Sequence, residues 1–144
     1  MQFATEAELV SKFAVCLGQH GTPWGETRLA FEFDYRSGRT DVVALLQDDS
    51  LIAFEAKLTK WRDALHQAYR NTCFAHRSYV VLPERTALTA ARYGAEFVHR
   101  NIGLCYLSYA GIVVVLDVKQ SEPLQTWLAQ RAVTVVSEGP EKCN

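Results

Sequence analysis

Residues 38–57 read GRTDVVALLQDDSLIAFEAK. Two short apolar runs, 40–46 and 51–57, flank the turn-like cluster Gln47-Asp48-Asp49-Ser50, so the stretch reads as two strands of an antiparallel pair. Three charges sit in or beside these runs: Asp41 on the first, Glu55 and Lys57 on the second. Glu55 and Lys57 are two residues apart, a spacing that puts them on one face of a strand. Ionised side chains on the inner stretch of a strand need partners or a metal ion to offset desolvation. A carboxylate pair with a lysine is also the minimal equipment of a metal-dependent site that cleaves phosphodiesters.

The flanking sequence builds outward from this pair. Thr5, with Glu8 three residues on, forms a capping box before the helical stripe Leu9, Val10, Phe13, Ala14 and Leu17. Gly18 to Gly25 is a loop. Residues 29–35 alternate apolar with polar or small residues and predict a strand, with Ser37-Gly38 as the hairpin turn. A helix follows over 61–72, with Trp61, Ala64, Leu65 and Ala68 inward. Residues 79–82 form a short buried strand closed by Pro83. One long helix is predicted over 86–100, with Leu88, Ala91, Ala95 and Val98 inside. Runs 104–109 and 112–118 flank Ala110-Gly111 as a final hairpin. Pro123 suits the first turn of a last helix through Trp127, Leu128 and Ala132.

The fold class is therefore α/β: a mixed sheet flanked by helices, in the order αβββαβ followed by αββα. The third strand, the next helix and the fourth strand predict a right-handed crossover between parallel strands. No internal repeat or linker divides the chain. A single domain over 1–136 with a polar tail over 137–144 is the expected organisation.

The chain has 144 residues, enough for one domain with a substantial core. It is 49% hydrophobic and 22% charged, a globular composition with a formal net charge of -1. No whole-protein basic field exists, so nucleic-acid binding would depend on a local patch. The apolar runs are far short of a membrane helix, and the N-terminus lacks a basic-then-hydrophobic leader. Four scattered cysteines, Cys16, Cys73, Cys105 and Cys143, include no CxxC pair. The expectation is a cytoplasmic protein with reduced thiols, no zinc and no membrane partner.

Hydrolysis of a phosphodiester requires a cation to offset phosphate charge, an activated water and a stabilised leaving oxygen. Magnesium and similar hard cations take one or two carboxylates, with waters and substrate oxygens completing the shell. Asp41 and Glu55 supply carboxylates from neighbouring strands. Lys57 can orient or deprotonate the water, because a cation nearby lowers a lysine's pKa.

On these residues the chain resembles the PD-(D/E)xK nuclease superfamily, which has a restriction-endonuclease-like fold. Its core order is helix, three-strand meander, helix and strand. The resemblance places Asp41 at the motif's first acid, Glu55 at the second and Lys57 at its lysine. Ala56 falls at the variable position, whose backbone carbonyl often joins the metal shell. Thr40 stands where the family usually has proline. Many members, including those similar to archaeal Holliday-junction resolvases, add a glutamate on the first helix, and Glu6 occupies that place. Branches similar to RecB-type exonucleases carry a glutamine and a tyrosine on the helix after the motif. Gln67 and Tyr69 correspond, with a shorter spacing than usual. The resemblance spans roughly residues 5 to 83. It implies a deoxyribonuclease that uses Mg2+ or Mn2+ held by Glu6, Asp41, Glu55 and Ala56, with Asp41, Glu55, Lys57 and Gln67 catalytic. DNA is the expected substrate, with RNA still open.

A cationic stretch surrounds the motif. Arg39, Lys60, Arg62 and Arg70, with Tyr69, are candidate nucleic-acid contacts, and Arg36 and Arg77 lie nearby. Each element also admits a structural reading. Glu55 could pair with a neighbouring cation on an edge strand, Glu6 could complement the helix dipole, and the basic residues could form a solvated face. The alternative function is accordingly a catalytically inactive module of the same fold that binds nucleic acid or another protein. One small domain cuts one strand at a time, so duplex cleavage calls for a homodimer or a partner subunit. No GxGxxG, GxxxxGK or GxSxG pattern occurs.

Overall fold

The computed structural model describes residues 1–19, 22–36 and 38–139. Six strands form one mixed sheet in sequence order: β1 (Thr27–Tyr35), β2 (Gly38–Leu46), β3 (Leu51–Ala56), β4 (Arg77–Leu82), β5 (Gly103–Ser108) and β6 (Gly111–Leu116). The first three strands are an antiparallel meander. β3, β4 and β5 run parallel, and β6 returns antiparallel. Helix α1 (Glu6–Leu17) precedes the meander, and α2 (Trp61–Arg70) joins β3 to β4.

Local sequence explains these elements. The Thr5 hydroxyl oxygen accepts from the Glu8 amide at 3.1 Å, while the Glu8 carboxylate accepts from the Ala4 amide at 3.0 Å. Two otherwise orphaned donors are thereby satisfied at the start of α1. Leu9, Phe13 and Leu17 then pack with Val42, Ala44, Ile52, Phe54 and Ala56 on one face of the sheet. α2 buries the expected Trp61, Ala64, Leu65 and Ala68 against Val80, Leu82 and Leu104. It ends at Arg70 rather than residue 72, where the chain tightens into the 3-10 turn Asn71–Cys73.

Several expectations are corrected. The single helix over 86–100 is two helices, α3 (Glu84–Ala91) and α4 (Gly94–Arg100), broken at Arg92 and Tyr93. The buried stripe also falls on a different face from the expected one. Ala87, Ala90 and Phe97 are buried, whereas the expected inward residues Leu88 and Val98 are 52% and 69% exposed. The last helix, α5 (Thr126–Glu138), starts three residues after Pro123, and Trp127 is exposed on it. α5 also carries Ser137 and Glu138, so the helix overruns the expected boundary of the polar tail. The tail from residue 140 on, including Cys143, lies outside the described residues, as does Ser37 of the predicted hairpin turn.

The strand over 29–35 begins two residues early, and its alternation fails in the middle. Leu29 packs in the core beneath α1, while Phe33 and Tyr35, of the same strand parity, belong to the core on the opposite face. Glu32 has φ 51°, a left-handed conformation that costs a non-glycine residue about 1–2 kcal/mol. This residue interrupts the pleat, so side chains beyond it change faces. β2 changes face at the matching place. Thr40 bonds Asn71 on the Phe33 side, whereas Val42 lies in the α1 core. Asp41 stands at this switch, adjacent to the paired rung Phe31–Val42.

Candidate active site at the end of β2 and β3

The last paired rung of β2 and β3 is Val42 with Phe54. Beyond it the strands part, and the Asp41 carboxylate fills the gap: its Oδ2 accepts the Ala56 amide at 2.9 Å. Glu55, on β3, is 1% exposed. Asn71, wholly buried just after α2, donates from Nδ2 to Glu55 Oε1 at 3.0 Å. Asn71 Oδ1 in turn accepts from the Tyr35 hydroxyl at 2.5 Å and the Thr40 hydroxyl at 2.9 Å. Both ends of the Asn71 amide are therefore satisfied, and its orientation is fixed.

Electrostatics follow from this packing. Burial raises the Glu55 pKa from its ordinary 4.5 to about 8, with further upward pressure from the Asp41 carboxylate, and the Asn71 hydrogen bond opposes the shift. Glu55 is thus held as a neutral acid at neutral pH unless a positive charge enters the site. Burial, assisted by Cys73 and Glu55, pushes the Tyr35 phenol up to about 12, so it acts as a donor to Asn71.

Lys57 lies one residue past the end of β3. Its Nζ stands 3.8 Å from Glu6 Oε1 of α1, whereas Glu55 turns to Asn71 at the other helix. The two side chains, expected to share a strand face, instead meet different partners, Glu6 of α1 for Lys57 and Asn71 for Glu55. Glu6 and Asp41 both border a groove between α1 and β1. Gln67 is half-buried on α2, one helical turn before Asn71. Among the described residues, no three Asp, Glu, His or Cys side chains converge as a metal cluster. Glu6, Asp41 and Glu55 therefore do not form a ready three-carboxylate cage, since Glu6 is drawn to Lys57. Two carboxylates of opposed strands remain, a donor set that suits a hard cation completed by water and substrate oxygens.

Arg39 pairs with Asp34 at 2.8 Å and reaches Glu32 at 3.7 Å. Arg62 pairs with Glu96 at 2.8 Å and stacks over the Trp61 ring at 4.2 Å. Lys60, Tyr69 and Arg70 are exposed around α2.

No known protein-family pattern and no curated protein matches the chain. Solved structures do. A protein of unknown function from Silicibacter pomeroyi is 17% identical, with a TM-score of 0.54 over 93% of this chain and 80% of that one. This likeness shows the fold. SfsA from Pyrococcus furiosus, solved in complex with Ca2+, is 9% identical, with a TM-score of 0.37 over 66% of this chain and 55% of its own.

Sequence reasoning missed Asn71, the centre of the buried network. A signal was present: Asn71 follows the candidate Gln67 by four residues, one helical turn on along the same side. Tyr35 and Thr40 carried no comparable signal, because their approach to Asn71 depends on the pleat reversal at Glu32. Among the described residues, no helix is long and apolar enough to cross a membrane.

Proposed function

We propose that the chain is a metal-dependent nuclease that hydrolyses DNA phosphodiesters, with α1, the β1–β3 meander, α2 and β4 as a restriction-endonuclease-like core. The observation that carries this reading is the carboxylate pair at the open end of β2 and β3. A glutamate buried to 1% exposure beside a second carboxylate is unfavourable as an anion, and a divalent cation is the partner that relieves it.

Asp41 and Glu55 are the residues that would hold Mg2+ or Mn2+, which when bound offsets phosphate charge and acidifies a water. The chain's own contributions are positional. The Ala56 amide fixes Asp41, Asn71 fixes Glu55, and the Lys57 ammonium stands at the groove edge to orient the attacking water. Glu6 holds Lys57 there and is a ligand only after that contact breaks. The neighbouring Gln67 lines the approach from α2. A dimer or partner subunit supplies the second cut of a duplex.

The test is nicking of supercoiled DNA in Mg2+ and in Mn2+, alongside calorimetric titration of Mn2+. Cleavage by the wild type and its loss in Asp41→Asn, with the circular dichroism spectrum unchanged, supports the reading. Equal cleavage by both proteins sinks it.

A second reading, a non-cleaving module of the same fold, is favoured by the missing third ligand among the described residues. Mn2+ uptake that is insensitive to Asp41→Asn would decide for that module.

A further inference from the structure

A groove of about 700 Å³ runs between α1 and β1 and opens beside Asp41. Its walls are Val10, Ala14 and Val15 from the helix and Leu29 and Phe31 from the strand. Phe31 is 53% exposed and Val15 60% exposed, large apolar surfaces left in water. The pleat reversal at Glu32 accounts for Phe31. Phe33 and Tyr35 are turned into the opposite core, and Phe31 remains as the last aromatic on the α1 side. Backbone strain retained beside candidate acids is consistent with a functional constraint on that wall.

We infer that this groove receives an unpaired nucleobase of a single-stranded nucleic acid, stacked on Phe31 beside the phosphate that Asp41 and Glu55 address. The charge distribution selects this occupant. One end is acidic, with Glu6, Glu32 and Asp41, of which Glu6 pairs with Lys57 at 3.8 Å and Glu32 with Arg39 at 3.7 Å, and the rest of the lining is uncharged. A phosphate fits only at the acidic end and only across a cation. The remainder of the groove suits an uncharged, flat group. A nucleobase has that shape, and aromatic rings hold bases without sequence preference. In a duplex both faces of a base are covered by its neighbours, so only an unpaired or extruded base reaches the ring. The inference depends on the nuclease reading for the position of the phosphate, and it adds the substrate class: single strands, or duplexes frayed or flipped at the cut.

Fluorescence anisotropy of a labelled oligothymidylate, against a duplex of equal length, tests it in Mg2+. The protein used is Lys57→Ala, so that cleavage is suppressed while both cation-holding carboxylates stay in place. Expected results are preference for the single strand, loss of about tenfold in affinity on adding Phe31→Ala, and recovery with Phe31→Trp. Equal affinity for strand and duplex, or an unchanged affinity in a folded Phe31→Ala protein, overturns the inference. A separate cleavage assay on wild type distinguishes the two failures. Phe31-dependent strand binding without cleavage removes the nuclease reading alone, and cleavage without Phe31 dependence removes this inference alone.

Discussion

Asn71 donates its side-chain amide to the Glu55 carboxylate at 3.0 Å, tying a buried acid in the sheet to the turn that ends α2. The bond explains how Glu55 tolerates burial: its oxygen has a donor, and the donor is itself held by Tyr35 and Thr40. Four residues from separate elements thereby share one network.

Removal of the Asn71 amide is expected to be costly. Asn71→Ala leaves Glu55, Tyr35 and Thr40 each short of a partner in a buried site, for a loss of about 2–4 kcal/mol in urea unfolding. Asn71→Asp keeps the acceptor for Tyr35 and Thr40 but loses the donor to Glu55, and adds a carboxyl group beside it. Its stability should fall more at high pH than at low pH. A pH-independent loss in Asn71→Asp would show that Glu55 is not the group Asn71 serves.

Stability without metal should fall as pH rises. The unfolded chain releases the Glu55 proton near 4.5, whereas the folded chain holds it to about 8. Across that window the folded state binds more protons, so raising the pH favours unfolding, and the contribution is gone above the folded value. Glu55→Gln should flatten this slope and be more stable than wild type at the alkaline end. Unfolding midpoints measured across the window in chelated buffer check this, and a flat wild-type profile counts against it. A divalent cation competes with the same proton, so Mn2+ affinity should rise over the same range.

The basic residues should differ in their contribution to DNA binding. Arg62 is committed to Glu96 and Trp61, so Arg62→Ala should leave the salt dependence of binding nearly unchanged. Lys60, exposed at the start of α2, should contribute one phosphate contact. Lys60→Ala should reduce the slope of log affinity against log salt by about one. Binding isotherms at several salt concentrations separate these outcomes.

Lys57→Ala should reduce cleavage by at least about a hundredfold without altering Mn2+ affinity, if the ammonium positions the water and is not a structural tie. A matched loss of metal affinity would instead assign Lys57 to holding the site together through Glu6.

Gly103 tests the sheet independently of function. A Cβ there would lie 2.3 Å from the Tyr79 ring and 3.0 Å from the Leu116 carbonyl. Tyr79 is fully buried and bonded to Asp117 at 2.6 Å, so the ring cannot retreat cheaply. Gly103→Ala should cost about 1–3 kcal/mol in urea unfolding.

The sequence by itself determined the elements whose signals are local. The Thr5 cap, the α1 stripe, the β2–β3 pair around Gln47 to Ser50 and the inward face of α2 all follow from short-range pattern and are present in the fold. It also brought out Asp41 and Glu55, since charges in apolar runs are costly enough to need a reason. Tertiary structure alone decided the rest. The pleat reversal at Glu32 and Asp41 depends on two strands giving way together, and no single strand's alternation encodes that. The break at Arg92 and Tyr93 depends on fitting α3 and α4 over β5 and β6, for which a continuous helical pattern gives no warning. Asn71 meets Glu55 across 16 residues, and Tyr35 meets Asn71 across 36. Such contacts are set by which surfaces the folded sheet brings together, because hydrogen bonds and burial act through space while sequence pattern reports only along the chain.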